Sequence, residues 1–231
     1  MSVHLEREIA NLKKSILTLG AVVEERLREA VTSFMERNQE LADKVIELDE
    51  EVDRMEVGIE EECLKVLALH QPVAVDLRFI VAILKINNDL ERIGDLAVNI
   101  AQRTVHMVAK PQKKCGPFHV PEIAEKAQAM LKSSLDALVN ANAGLAHAVR
   151  AADDEVDDLN RATLTEVREC ILRDVETLKC AMRHLEVTRH LERTADLATN
   201  IAEDVIYMIE GHIIRHPRIF LGGQSEGEAK P

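Results

Sequence analysis

Leu5, Ile9, Leu12, Ile16, Leu19, Val23, Leu27, Ala30 and Phe34 recur at alternating three- and four-residue steps. That spacing places them in one seam of a long amphipathic helix that packs at a shallow angle on its neighbours. A second helical segment runs from about Leu41 to Leu69, where His70-Gln71-Pro72 interrupts it. Proline suits the first turn of a new helix, where its missing N–H has no partner to lose, so a third helix is predicted from about Pro72 to Val108. Lys110 to Pro117 gathers two prolines and a glycine, with Pro121 close behind, and reads as a linker. A fourth helix is then predicted over roughly Pro121 to Arg150 and a fifth over Asp153 to Leu172. A sixth follows Asp174, a suitable N-cap, and stops at Gly211. The Gly-, Pro- and Glu-rich stretch 217–231 is predicted to be a mobile tail.

The order is therefore three helices, a linker and three helices, and the two halves repeat one another. Leu90-Glu91-Arg92-Ile93-Gly94-Asp95-Leu96-Ala97-Val98-Asn99-Ile100-Ala101 matches Leu191-Glu192-Arg193-Thr194-Ala195-Asp196-Leu197-Ala198-Thr199-Asn200-Ile201-Ala202. Leu-Glu-Arg, Asp-Leu-Ala and Asn-Ile-Ala are shared whole. Asp49, Glu51, Val52 and Asp53 are echoed by Asp153, Glu155, Val156 and Asp157. A fixed internal period of this kind signals a duplicated structural unit. The expected domains are a first three-helix bundle over 1–109, a linker over 110–120, a second bundle over 121–216 and the tail.

Composition agrees with an all-α class. Hydrophobic residues make up 46% of the 231, yet there is no Trp, one Tyr and four Phe. The apolar mass is aliphatic and interleaved with 30% charged residues, the mixture of packed helices and not of sheets. A net charge of −12 excludes a duplex-binding surface and disfavours direct adhesion to an anionic membrane. Cys63, Cys115, Cys170 and Cys180 form no CxxC pair; the three within helical patterns read as buried thiols, and nothing suggests a disulfide scaffold, which favours a reducing cytoplasm. No signal peptide or membrane-spanning run is read from the sequence.

Candidate chemistry lies on the third and sixth helices. Leu77, Val81, Leu84, Asn88, Glu91, Asp95 and Asn99 share one stripe, which reads as a packing seam that turns polar halfway. Leu178, Met182, Leu185, Arg189, Glu192, Asp196 and Asn200 make the same change in the second half. Glu91 and Asp95 stand four residues apart, as do Asp49/Asp53, Asp153/Asp157 and Glu192/Asp196; like charges at that spacing cost a helix about 0.2–0.5 kcal/mol. Counted back from the turns near Gln71 and Arg173, the two pairs in each half lie level, so each bundle is expected to bring four carboxylates together. Such a group needs positive charge. Arg92, Arg189 and Arg193 supply it as internal salt bridges, or a cation does. Oxygen-only donors suit magnesium, manganese or iron and disfavour a structural zinc site. No Glu-x-x-His, HExxH, GxSxG or phosphate-binding loop occurs. His184 and His190, near the acidic stripe, read as ordinary surface or packing residues rather than ligands. No nucleophile–base pair is apparent, so no enzymatic activity is expected.

The paired stretches NNDLERIGDLAVNIA and TRHLERTADLATNIAEDVIYMIEG resemble the two signature helices of PhoU proteins. QPVAVDLRFI resembles that family's entry into its third helix, and Ile209 to His216 its C-terminal end. The resemblance implies two three-helix bundles related by a pseudo-twofold axis. It also implies negative regulation of phosphate uptake and phosphate-starvation signalling, linking the phosphate ABC transporter to its sensor histidine kinase. Location is then cytoplasmic, or peripheral at the inner membrane through protein partners, and a homodimer is expected. The family's acidic motifs match Glu91/Asp95 and Glu192/Asp196, faced by Asp49/Asp53 and Asp153/Asp157, with iron, manganese, magnesium or zinc as the metal. Asn88, Arg92, Asn99, Arg193 and Asn200 would surround it. The alternatives are a metal-binding or metal-storage helical protein and a purely structural helical dimer. Asn88-Asp89 becomes Arg189-His190 in the second half, and an arginine there could take a cation's place.

Overall fold

The computed structural model describes residues 3–109 and 113–211, and within them every regular element is helical. The elements are α1 (Val3–Glu36), α2 (Gln39–Glu47), α3 (Asp49–His70), α4 (Ala74–Val108), α5 (Val120–Asn140), α6 (Ala143–Arg173) and α7 (Leu178–Glu210), with a 3-10 turn over Val175–Thr177. The predicted tail, residues 212–216 and the start of the linker at 110–112 lie outside the described residues.

In the first half, α1, the α2–α3 pair and α4 pack on one another; α5, α6 and α7 do so in the second. One continuous apolar core runs through both. The α1 seam behaves as its periodicity requires: Leu12, Ile16, Leu19, Val23, Leu27, Ala30 and Phe34 are buried. Leu90 and Ile93 of α4, and Leu191 and Ile201 of α7, are fully buried, each such side chain contributing about 1.5–3 kcal/mol relative to exposure.

The halves meet along α4 and α7. Lys85 Nζ lies 3.2 Å from Asp204 Oδ1, and Arg103 Nε lies 3.1 Å from Glu186 Oε2. In the sequence repeat Lys85 aligns with Glu186 and Arg103 with Asp204, the same offset that aligns Glu91 with Glu192. The two ion pairs are thus one contact made twice with charges exchanged, as a pseudo-twofold relation between α4 and α7 demands.

Two helix boundaries differ from those read in the sequence. The second segment is not one helix: Leu48 (φ −89°, ψ 4°) leaves helical geometry and separates α2 from α3. The new helix then starts on Asp49-Glu50-Glu51, where acidic residues favour the positive end of the helix dipole. In the second half the break falls at 140–143, and α6 runs unbroken through the expected boundary near 150–153. Ala141 adopts a left-handed conformation (φ 47°), and the Asn142 side chain accepts from Leu145 N at 3.0 Å. The first half uses the same device: Arg37 at φ 56°, then Asn38 accepting from Leu41 N at 3.0 Å. Gly211 ends α7 in the left-handed region, as expected.

The cysteine reading is corrected. Cys115 and Cys180 lie with Sγ atoms in disulfide contact and Cα atoms 6.0 Å apart, while Cys63 and Cys170 are free. The partners are separated by 65 residues and meet only because the linker folds over the start of α7.

Candidate functional site: two acidic helix faces

Val52 of α3 is buried and points at Gly94 of α4, where a Cβ would come within 3.2 Å of Val52 Cγ1. Glycine allows this approach, which brings Asp49 and Asp53, on either side of Val52, beside Glu91 and Asp95, on either side of Gly94. The second half repeats the plan with Val156 between Asp153 and Asp157, and Ala195 between Glu192 and Asp196; both central residues are buried.

The carboxylates feel one another across the helices. Burial, then the charges of Asp53 and Asp95, push the Asp49 carboxyl above its ordinary pKa. Glu91 is raised by burial, then by Asp95, Asp53, Glu56 and Asp49. Glu56, a residue the sequence reading missed, belongs to the group: burial, Glu60 and Asp53 raise it as well. Its place two turns after Asp49 on the same face was the available signal. In the second half, burial, Asp196 and Asp157 raise Asp153. Burial, Asp196, Asp157 and Asp153 raise Glu192, and burial and Asp157 raise Asp196.

The two groups differ in their positive neighbours. Among the described residues no Lys or Arg forms an ion pair with Asp49, Asp53, Glu56, Glu91 or Asp95, and every charge acting on Asp49 and Glu91 is negative. Arg92 lies 3.8 Å from Asp89 instead. In the second group Arg193 opposes the rise at Glu192 and Asp196, and Arg161 lies 3.5 Å from Asp157. Arg189, the residue suspected of filling the second site, is exposed, as is Asn88; Asn99 and Asn200 are half-buried.

The stripe through Glu91 and Asp95 is not the packing seam expected of it. Leu77, Asn88 and Asp95 are exposed, and the buried seam runs beside it through Ile80, Ile83, Asn87, Leu90 and Ala97. Asn87 of that seam donates from Nδ2 to the Glu56 carbonyl at 2.9 Å, tying α4 to α3 behind the acidic face. The carboxylates are also loosely grouped. Among the described residues, the His, Cys, Asp and Glu ligand atoms that converge within 4.8 Å in a group of three are those of Cys115, Cys180 and His184. The acidic faces are open, electrostatically coupled surfaces.

The sequence matches the PhoU domain over residues 16–104 and 120–205. The chain belongs to the PhoU family. It is 37% identical over 216 residues to a phosphate-specific transport system accessory protein PhoU homolog from Aquifex aeolicus, covering 93% of this chain and 97% of that one. The homolog from Pseudomonas putida is 35% identical over 216 residues, covering 94% and 84%. Among solved structures, PhoU from Pseudomonas aeruginosa superposes with a TM-score of 0.87 at 34% identity, over 90% of this chain and 99% of that one. The phosphate transport system regulatory protein PhoU from Streptococcus pneumoniae gives 0.84 at 28% identity, over 91% and 99%. The PhoU fold expected from the two signature helices is therefore present, and these relatives are named for accessory and regulatory roles in phosphate transport. No described helix is long and apolar enough to cross a membrane.

Proposed function

We propose that this chain is a negative regulator of phosphate uptake and of phosphate-starvation signalling. It acts in the cytoplasm as an adaptor between the phosphate ABC transporter and its sensor histidine kinase, with metal at its acidic faces. Family membership and the names of its relatives support the phosphate-transport part of this reading. The observation that carries the rest is the duplicated acidic face, retained at the same level of both bundles despite its cost to the helices.

The donor set fits a hard cation. Asp49, Asp53, Glu56, Glu91 and Asp95 offer only oxygen, and among the described residues no Lys or Arg forms an ion pair with them. Asp153, Asp157, Glu192 and Asp196 would hold a second ion less well, because Arg193 and Arg161 already offset part of the charge. A bound divalent cation supplies the missing positive charge. The protein's own part is to hold α3 against α4 through Val52 and Gly94, which sets carboxylates of both helices on one face, where they would hold the ion.

An adaptor also needs surface for protein partners. Both bundles expose apolar side chains at corresponding turns: Leu69, Val73, Val75 and Leu77 between α3 and α4, and Leu172, Val175, Leu178 and Met182 between α6 and α7. Clustered exposed apolar side chains of this kind favour contact with another protein.

The test is a phosphate-starvation reporter in a strain lacking this gene, grown in abundant phosphate. Derepression, reversed by the wild-type copy, is expected. Unchanged repression in the absence of any second copy would overturn the regulatory reading.

A further inference from the structure

The acidic faces leave one chemically different cluster unused. Cys180 and His184 are a helical turn apart on α7, and Cys115 comes from the linker segment crossing above them. Both Sγ atoms lie 3.8 Å from His184 Nδ1. Tetrahedral zinc, with Zn–S of about 2.3 Å and Zn–N of about 2.0–2.1 Å, sets sulfur and nitrogen about 3.6 Å apart. We propose that, once reduced, Cys115, Cys180 and His184 bind a soft divalent cation of the zinc class, at a site separate from the carboxylate faces.

The surroundings suit that charge and no harder one. His184 is 6% exposed, set edge-on to the rings of Phe34 and Phe118 at 5.0 and 5.5 Å. Val167, Ala181 and Leu185 form an apolar cluster against which Cys115 and Phe118 pack, and Cys180 is fully buried. Two thiolates, a neutral imidazole and a divalent cation sum to zero, the arrangement that an apolar enclosure tolerates. At present Nδ1 donates to the Cys180 carbonyl at 2.9 Å. Ligation through Nδ1 moves that proton to Nε2, which faces Gly116, where any Cβ would lie 2.8 Å away.

The disulfide and the cation exclude each other. A dithiol reductant passes two electrons and two protons to the Cys115–Cys180 bond, giving two thiols and its own disulfide. Metal binding then releases the two thiol protons to solvent. The proposed cytoplasmic setting keeps the pair reduced, and to that extent the inference rests on the functional reading above.

Cobalt(II) titration of the reduced full-length protein separates the two, because carboxylate sites give no thiolate-to-cobalt charge-transfer band. One equivalent should develop that band, and zinc should displace it. Cys115→Ser, at the partly exposed linker position, and Cys180→Ser should abolish it, while Cys63→Ser, Cys170→Ser and Asp95→Asn leave it intact. Three results would overturn the site: no band in protein whose four cysteines all titrate as thiols, a band that survives Cys115→Ser, or a Cys115–Cys180 bond that resists strong dithiol reductant. None of them bears on phosphate regulation.

Discussion

Replacing Asp95 by asparagine removes one negative charge from the α3–α4 face while preserving the side chain's shape. The charge of Asp95 acts on both Asp49 and Glu91. Each like-charge contact of this kind costs about 0.2–0.5 kcal/mol, and the partial exposure of the group keeps the values in that low range. Two contacts give a gain of about 0.4–1 kcal/mol for Asp95→Asn in metal-free protein, worth about 1–4 °C in a chain of this length. The pH dependence has a definite sign. Asp49, Glu56 and Glu91 have folded-state pKa values above their unfolded ones. Between the two values the folded protein holds more protons, so their contribution to stability falls as pH rises through that window. The gain from Asp95→Asn is therefore full at neutral pH and shrinks toward the ordinary carboxylate range, near about pH 4. With manganese present the proposed site predicts the opposite order, because the variant would lack one of the proposed ligands and with it part of the binding free energy that would stabilise the folded state. Thermal melts followed by circular dichroism, in chelator and in manganese at several pH values, read all three effects. A loss of stability in chelator, or a gain that ignores pH, would refute the reasoning.

Gly94→Val drives a branched side chain into Val52, 3.2 Å from the Cβ position. It should destabilise by about 1–3 kcal/mol and weaken manganese binding, measured by denaturation and calorimetry; unchanged affinity would mean that the α3–α4 spacing does not set the site. Asn38→Ala and Asn142→Ala remove equivalent caps and should each cost about 1 kcal/mol by urea denaturation. Reversing one inter-bundle contact with Arg103→Glu should destabilise, and adding Glu186→Arg should restore about 0.2–1 kcal/mol. A double-mutant cycle without coupling would remove the α4–α7 ion pairs from the account.

The repeated Leu-Glu-Arg and Asp-Leu-Ala triplets made both the duplication and the acidic pairs legible, because helical spacing translates sequence into a face directly. Gly211 was readable as a stop for the same local reason. The break at Leu48 was not, since nothing there but an acidic triplet marks a helix start. Asn140-Ala141-Asn142 hides a turn without glycine or proline, whereas Asp153-Asp154 looks like a cap and lies mid-helix. Which residues of α4 face the core depends on packing against α3 and α7, and periodicity alone placed the seam beside its true position. The Cys115–Cys180–His184 cluster depends on the path of the linker, which no spacing rule encodes.

The central claim is that these acidic faces carry the regulatory function and not the fold. It is tested most directly by complementing the deletion strain with Glu91→Gln/Asp95→Asn/Glu192→Gln/Asp196→Asn at wild-type abundance and reading the phosphate-starvation reporter in abundant phosphate. The account predicts a reporter that stays derepressed; full repression by this variant would contradict it.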